Sequence, residues 1–462
     1  MENKKKLHRI LGAVQNYAWG MSGSANPAPL TYQYGKANGL DCCVSKPYAE
    51  VWLGTHKSGP SYVYSSDSDS DTTTTTTTTT TERLTLSSLI ESDPAFHLGS
   101  GVNSTSGSAT TTATTTATTN ATTNATLPYL LKILSISKVL SIQSHPDLAL
   151  AKILHAKFPE IYKDCNHKPE MAIALKDGFQ AMCGFRSLSE IAKNLALFPE
   201  FGEIAGKAEV QGVLDAVEKT GGCGDFSTLA QSALKALFSS FMAKFPHSGK
   251  TPLASLISRI SSPSFVPTPL TRLIASFNEM FPNDCGVLSP ILMNVVTLNE
   301  GQSLFVPANT PHAYITGEII ECMAASDNVV RCGLTPKFKD VDILCDMLTY
   351  RTGESGDGVT RIYTPPADVE DFQVRITKVK PGGVVELAGV DSGVILLALG
   401  EEGIKGRVIV MNGGEGESES ESDEVTFGYS GFLSSGAEVK IENLSESKEL
   451  VLVRAMKRNV RI

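Results

Sequence analysis

Four side chains able to bind a metal stand in three extended segments: Gln143 and His145 in VLSIQSHPD, Glu170 in NHKPEMAIAL, and His312 in FVPANTPHAY. Alternate residues of a strand share a face, so Ser141, Gln143 and His145 are expected to point one way, and Ile142 and Ser144 the other. The same i, i+2 rule groups Lys168 with Glu170 and His312 with Tyr314. Three strands with polar groups on one side suggest the inside of a β-barrel that holds a metal and a polar ligand. Two imidazoles and a carboxylate suit Zn²⁺, with Gln143 adding a neutral amide oxygen. The same donors also suit Mn²⁺, Co²⁺ or Fe²⁺, so spacing alone does not choose the ion. A single strand histidine is more often structural than a ligand; here several donors recur together. His167 competes with Glu170, but it is out of phase with that carboxylate.

A cationic set accompanies the ligands: Lys168, Arg331 and Lys337, with Lys132 upstream. The run SDNVVRCGLTPKFKD places Asp327, Arg331 and Lys337 on one loop or irregular strand after His312. Guanidinium, ammonium and a hydroxyl such as that of Ser141 are what a phosphomonoester needs for charge-assisted hydrogen bonds. A metal beside such a cluster points to a phosphorylated, oxygen-rich small molecule. The sequence contains no G-x-S-x-G, no phosphate-loop lysine motif and no HExxH. Cys322 and Cys332 are expected to pack as small apolar residues rather than act as nucleophiles.

The elements that must position these groups follow from periodicity. Residues 187–281 show helical spacing: Ser187-x-x-Glu190 is a capping-box pattern, followed by Leu188, Ile191 and Leu195. Leu229, Ala233, Leu237 and Phe241 are expected to line one helix face, and Leu270–Phe281 to form another helix stopped by Pro282. Strand-like runs return with ILMNVVTL, SLFVPA and GEIIECMAA. DFQVRITKV, GVVELAG and GVILLALG suggest a second β-domain after about Thr364. Between low-complexity tracts at 65–81 and 99–126, read as disordered insertions, ERLTLSSLIESDPAFHLG reads as a short helix and loop. A third insertion, 413–424, is acidic and Ser-rich.

At 462 residues the chain can bury two or three cores. A net charge of -9 argues against a general nucleic-acid partner. Nine cysteines without regular spacing fit reduced thiols rather than a disulfide framework. The start MENKKKLHRI lacks an apolar stretch after its basic cluster, and no run is long and apolar enough to span a membrane. The expectation is therefore a cytoplasmic globular protein with no membrane partner. Sequons at Asn103, Asn120, Asn124 and Asn443 are accordingly not expected to carry glycans.

QNYAWG (15–20), YAEVWLGTHKSGPS (48–61), LPYLLKILSISKVLSIQSHPD (127–147), HKPEMAIAL (167–175) and the run from Phe305 to Val341 together resemble the type I phosphomannose isomerases. The resemblance covers nearly the whole chain outside the low-complexity insertions. It implies a mainly β fold with an α insert: cupin-type jelly-roll barrels with a helical domain between them. The implied domains are 1–180 together with 283–363 (catalytic), 181–282 (helical) and 364–462 (C-terminal, cupin-like). It implies one Zn²⁺ per chain on Gln143, His145, Glu170 and His312. It places the active-site arginine at Arg331 and substrate-pocket positions at Trp19, Glu50, His56, Lys132, Ser141, Lys168, Tyr314, Glu321, Asp327 and Lys337. The implied reaction interconverts mannose 6-phosphate and fructose 6-phosphate through a cis-enediol(ate), feeding GDP-mannose synthesis and glycosylation. Glu321, Asp327 and Lys132, or a zinc-bound water, are candidates for proton transfer, with His56 assisting ring opening. A monomer acting on a small-molecule sugar phosphate is expected. Two other readings are a non-catalytic sugar-phosphate sensor and a metal-dependent oxygenase; Gln143 and the cationic cluster fit the oxygenase poorly.

Overall fold

The computed structural model describes residues 4–64, 83–99, 125–220, 227–352, 363–411 and 421–458. Most of the Thr-rich tracts, Asn103, Asn120, Asn124 and most of the acidic insertion lie outside the described residues. Contacts divide the chain into two units: Met1–Ser135 with Ile320–Ala325 and Ile362–Ile462, and Ile136–Ile319 with Ser326–Arg361.

In the first unit, β-branched and aromatic runs interrupted by glycine and asparagine turns form antiparallel sheets, as their pleat-filling side chains favour. One sheet has the order Gln373–Val379, Leu450–Met456, Val394–Gly400, Ser430–Leu433, Leu7–Leu11, Tyr62–Val63. The N-terminal strand thus completes a sheet of C-terminal strands, with Leu7 opposite Leu433 and Arg9 opposite Gly431. A second sheet orders Val384–Leu387, Val439–Asn443, Lys405–Val410 and Ser422–Thr426. In a third strand set, Glu50–Leu53 pairs with Ala13–Gln15 and with Tyr129–Ile136, setting Trp52 opposite Lys132. Asn443 is buried and donates from Nδ2 to the carbonyls of Val379 and Lys448, each at 2.8 Å, so its sequon is inaccessible.

The second unit carries the helices. Ser187 and Glu190 form the reciprocal capping box of Leu188–Leu197, and helices follow to Pro269–Met280, which ends at Phe281 just before Pro282. The expected face Leu229–Ala233–Leu237–Phe241 is corrected: Leu229 is exposed, while Ala230, Leu234, Leu237, Phe238, Phe241 and Met242 are buried in the helix Thr228–Lys244. Each i+4 step turns about 40° around the axis, so a ladder of three such steps leaves the core face. A stripe mixing i+3 and i+4 steps stays on it. Phe201 and Phe241 stack at 4.5 Å within this core.

Beside the helices, Phe179–Phe185 pairs with Met293–Leu298 and with the strand starting at His312, while Glu170–Ala174 pairs with Ser303–Val306. The three-residue strand Ile142–Ser144 lies between His312 and Val330–Gly333. No helix among the described residues is long and apolar enough to cross a membrane.

Candidate active site

Strand register builds the centre of the second unit. Gln143 stands directly opposite His312 on one side and Arg331 on the other, so the three side chains share one face of the sheet. His145 follows two residues beyond Gln143, and Glu170 opens the strand that pairs with Ser303–Val306. His145, Glu170 and His312 are each about 1% exposed, and one ligand atom from each lies within 4.8 Å of the others.

The imidazole tautomers are set by backbone carbonyls. His145 Nδ1 donates to Asn328 O at 2.7 Å and His312 Nδ1 to Thr310 O at 3.0 Å. With the proton on Nδ1, each Nε2 carries a lone pair. Both Nε2 atoms are buried without a hydrogen-bond partner, at 3.1 Å and 3.4 Å from the two oxygens of Glu170. Two nitrogen lone pairs and a carboxylate turned toward one another repel unless a cation sits among them, and this is the donor set of a zinc site. Gln143 is on the correct face to add an amide oxygen.

Charge reinforces that state. Burial pushes the His145 imidazole down to about 4, and Lys168 adds to the effect against the opposing pull of Glu170. Burial alone raises the Glu170 carboxyl, yet the Lys168 ammonium beside it outweighs this and holds the group well below its ordinary value. Neutral imidazole and ionised carboxylate are the forms that bind metal. Lys168 Nζ lies 3.1 Å from Glu170 Oε1, and the Tyr314 hydroxyl donates to Glu170 Oε2 at 3.2 Å.

Around this centre Arg331 and Ser141 are half-buried, whereas Asp327 and Lys337 are exposed. Burial lowers the Arg331 guanidinium somewhat, which still leaves it a cation at neutral pH. The backbone N–H of Asp327 donates to Asp164 Oδ2 at 2.7 Å. His167, the competing ligand, stands outside the metal-capable group.

A second cluster forms in the first unit. Lys132 Nζ lies 2.9 Å from Glu321 and 3.8 Å from Glu50, all three buried. It also sits 5.0 Å from the centre of the Trp52 ring, whose N–H donates to Glu50. His56 meets the same indole edge-on at 5.0 Å. Trp19, half-buried, stacks on Tyr17 instead. Sequence reasoning missed Trp52, although its i, i+2 offset from Glu50 in YAEVWLG was the available signal. It also missed Asp164 and Asn328, whose partners are distant in sequence.

The sequence matches the family description of the type I phosphomannose isomerase catalytic domain over residues 7–93 and 101–188. It matches the helical insertion domain of that family over 215–293. A mannose-6-phosphate isomerase of Ogataea parapolymorpha is 36% identical, covering 97% of each chain. Mannose-6-phosphate isomerase 1 of Arabidopsis thaliana is 34% identical, covering 98% of this chain and 94% of its own. A crystal structure of the Salmonella typhimurium mannose 6-phosphate isomerase, bound to fructose 6-phosphate and zinc, superposes with a TM-score of 0.71 at 26% identity. That match covers 98% of this chain and 100% of the Salmonella chain. The mainly β architecture with its helical insertion is the cupin fold of these proteins. The chain belongs to the type I phosphomannose isomerase family.

Proposed function

We propose that the protein is a zinc-dependent aldose–ketose isomerase that interconverts mannose 6-phosphate and fructose 6-phosphate through a cis-enediol(ate). The observation that carries this reading is the pair of unpartnered, buried Nε2 atoms facing the two oxygens of Glu170. His145, His312, Glu170 and Gln143 would hold the zinc, which when bound supplies Lewis-acid stabilisation of developing oxyanion charge.

The remaining roles belong to the chain's own groups. Isomerisation opens the sugar ring, removes a proton from C2 and returns one to C1. Arg331 stays protonated and serves to bind and stabilise negative charge rather than to accept a proton. Lys168, Ser141 and Lys337 are assigned to the phosphate, and Tyr314, Trp19 and Glu50 to the substrate pocket. Glu321, Asp327 and Lys132 are the candidates for moving the proton, and His56 for assisting ring opening. Lys132 lies 2.9 Å from Glu321 and 3.8 Å from Glu50, so the proton-transfer candidates Lys132 and Glu321 stand side by side in one buried cluster.

In this reading the enzyme works in the cytoplasm as a monomer and supplies mannose 6-phosphate for GDP-mannose synthesis. Arg331→Ala tests the central assignment. The variant is expected to retain bound zinc while its kcat falls steeply; equal loss of zinc would remove Arg331 from its proposed role.

A further inference from the structure

One carboxylate outside the ligand set ties together the loop on which the metal centre leans. The Nδ1–H of His145 is aimed at a single acceptor, the backbone carbonyl of Asn328, at 2.7 Å. That carbonyl is fixed because the Asn328 side chain is buried and tethered: Nδ2 donates to Asp164 O at 2.7 Å, to Asn166 O at 2.9 Å and to Asp164 Oδ1 at 3.2 Å. Asp164 Oδ1 also accepts from Ser326 Oγ at 2.8 Å and from the Asn166 N–H at 2.9 Å. Its Oδ2 accepts the Asp327 N–H at 2.7 Å. The Ser326 hydroxyl accepts the Asn328 N–H at 3.2 Å and closes the network.

The loop 326–328 has little regular structure of its own to hold it, lying between the strands His312–Ala324 and Val330–Gly333. Its shape is therefore set by side-chain hydrogen bonds, most of which reach Asp164 or the nearby Asn166 carbonyl. The geometry points to Asp164, acting through Asn328, as the positioning residue that fixes the tautomer and orientation of His145 and the place of Asp327. This rests on the zinc reading of the site. A ligand imidazole whose Nδ1 acceptor is immobile presents Nε2 in one direction, and loss of such an outer partner typically costs about 10–100-fold in metal affinity.

Zinc affinity, measured by chelator competition on the full chain, tests this without recourse to turnover. Asp164→Asn keeps the shape but turns one acceptor oxygen into a donor that must face an N–H or O–H. Asn328→Ala removes the tethers while keeping the carbonyl. Each is expected to weaken zinc binding by about 10–100-fold, and the double variant to lose little more than either alone, because both act through one loop. Ser326→Ala, which removes one bond to Asp164, gives a smaller loss in the same direction and carries the test if Asp164→Asn fails to fold. Folded variants that bind zinc within about twofold of the parent overturn the proposal, as does a lowered melting temperature of the metal-free protein with unchanged zinc affinity. A parent protein that itself binds no zinc overturns the zinc reading and this inference together.

Discussion

His145 and Glu170 are held 3.1 Å apart in a buried site where no hydrogen bond joins them. The imidazole proton is spent on Asn328 O, so a lone pair faces a carboxylate oxygen. Such an arrangement costs free energy in the metal-free protein and is repaid when a cation binds. Zinc should therefore raise the melting temperature in proportion to the logarithm of its free concentration. Glu170→Gln should abolish most of that shift. A parent protein whose melting temperature ignores zinc would contradict the assignment.

Lys132 is the cation between two buried carboxylates. Lys132→Met strands Glu321 and Glu50 in the interior and is expected to cost about 3–5 kcal/mol. Adding Glu321→Leu should recover part of that loss, since the uncompensated charge is then reduced. Urea denaturation of the single and double variants reads this directly, and a double variant less stable than Lys132→Met would refute it.

His8 is buried against His97, with ring centres 5.8 Å apart, and Lys5 lies nearby. Burial, with smaller contributions from His97 and Lys5, pushes the His8 imidazole from 6.5 down to about 4 against the opposing bond to the Lys5 carbonyl. The folded state therefore favours the neutral ring, and the unfolded chain binds more protons between these two values. This contribution is complete above pH 6.5 and is lost as pH falls toward 4, on the order of 3 kcal/mol in all. His8→Phe should flatten the fall in unfolding free energy across that window; parallel pH profiles for parent and variant would count against it.

Of the described cysteines, Cys43 is exposed, and its thiol is pulled down chiefly by hydrogen bonding to Ser45. Cys183, Cys285, Cys322, Cys332 and Cys345 are buried. Burial pushes the Cys322 and Cys332 thiols well up, as their expected apolar packing requires. A thiol reagent followed by peptide mass spectrometry should modify Cys43 first and the five buried residues only after denaturation. Early modification of Cys322 or Cys332 would contradict the packing.

Much of this was legible in the sequence because the signals were local. The capping box at Ser187 and Glu190, the stop at Pro282 and the strands at Gln373–Val379 and Val394–Gly400 each depend on residues a few positions apart. The i, i+2 grouping also explains why Lys168 meets Glu170 at 3.1 Å. Long-range pairing was not legible: nothing near Leu7–Leu11 announces that it will pair with Ser430–Leu433. Nor does Asp164 advertise partners at Ser326, Asp327 and Asn328, more than 160 residues away. The wide apolar surface of Thr228–Lys244 left its buried face ambiguous until neighbouring helices chose it.

The most direct test of the central claim is a coupled assay that follows fructose 6-phosphate formed from mannose 6-phosphate by the purified protein. It should be run as isolated, after chelation and after zinc is restored. Turnover that vanishes with chelator and returns with zinc is the predicted result. A folded, zinc-loaded protein that binds the sugar phosphate without converting it would contradict the account and leave a sensor in its place.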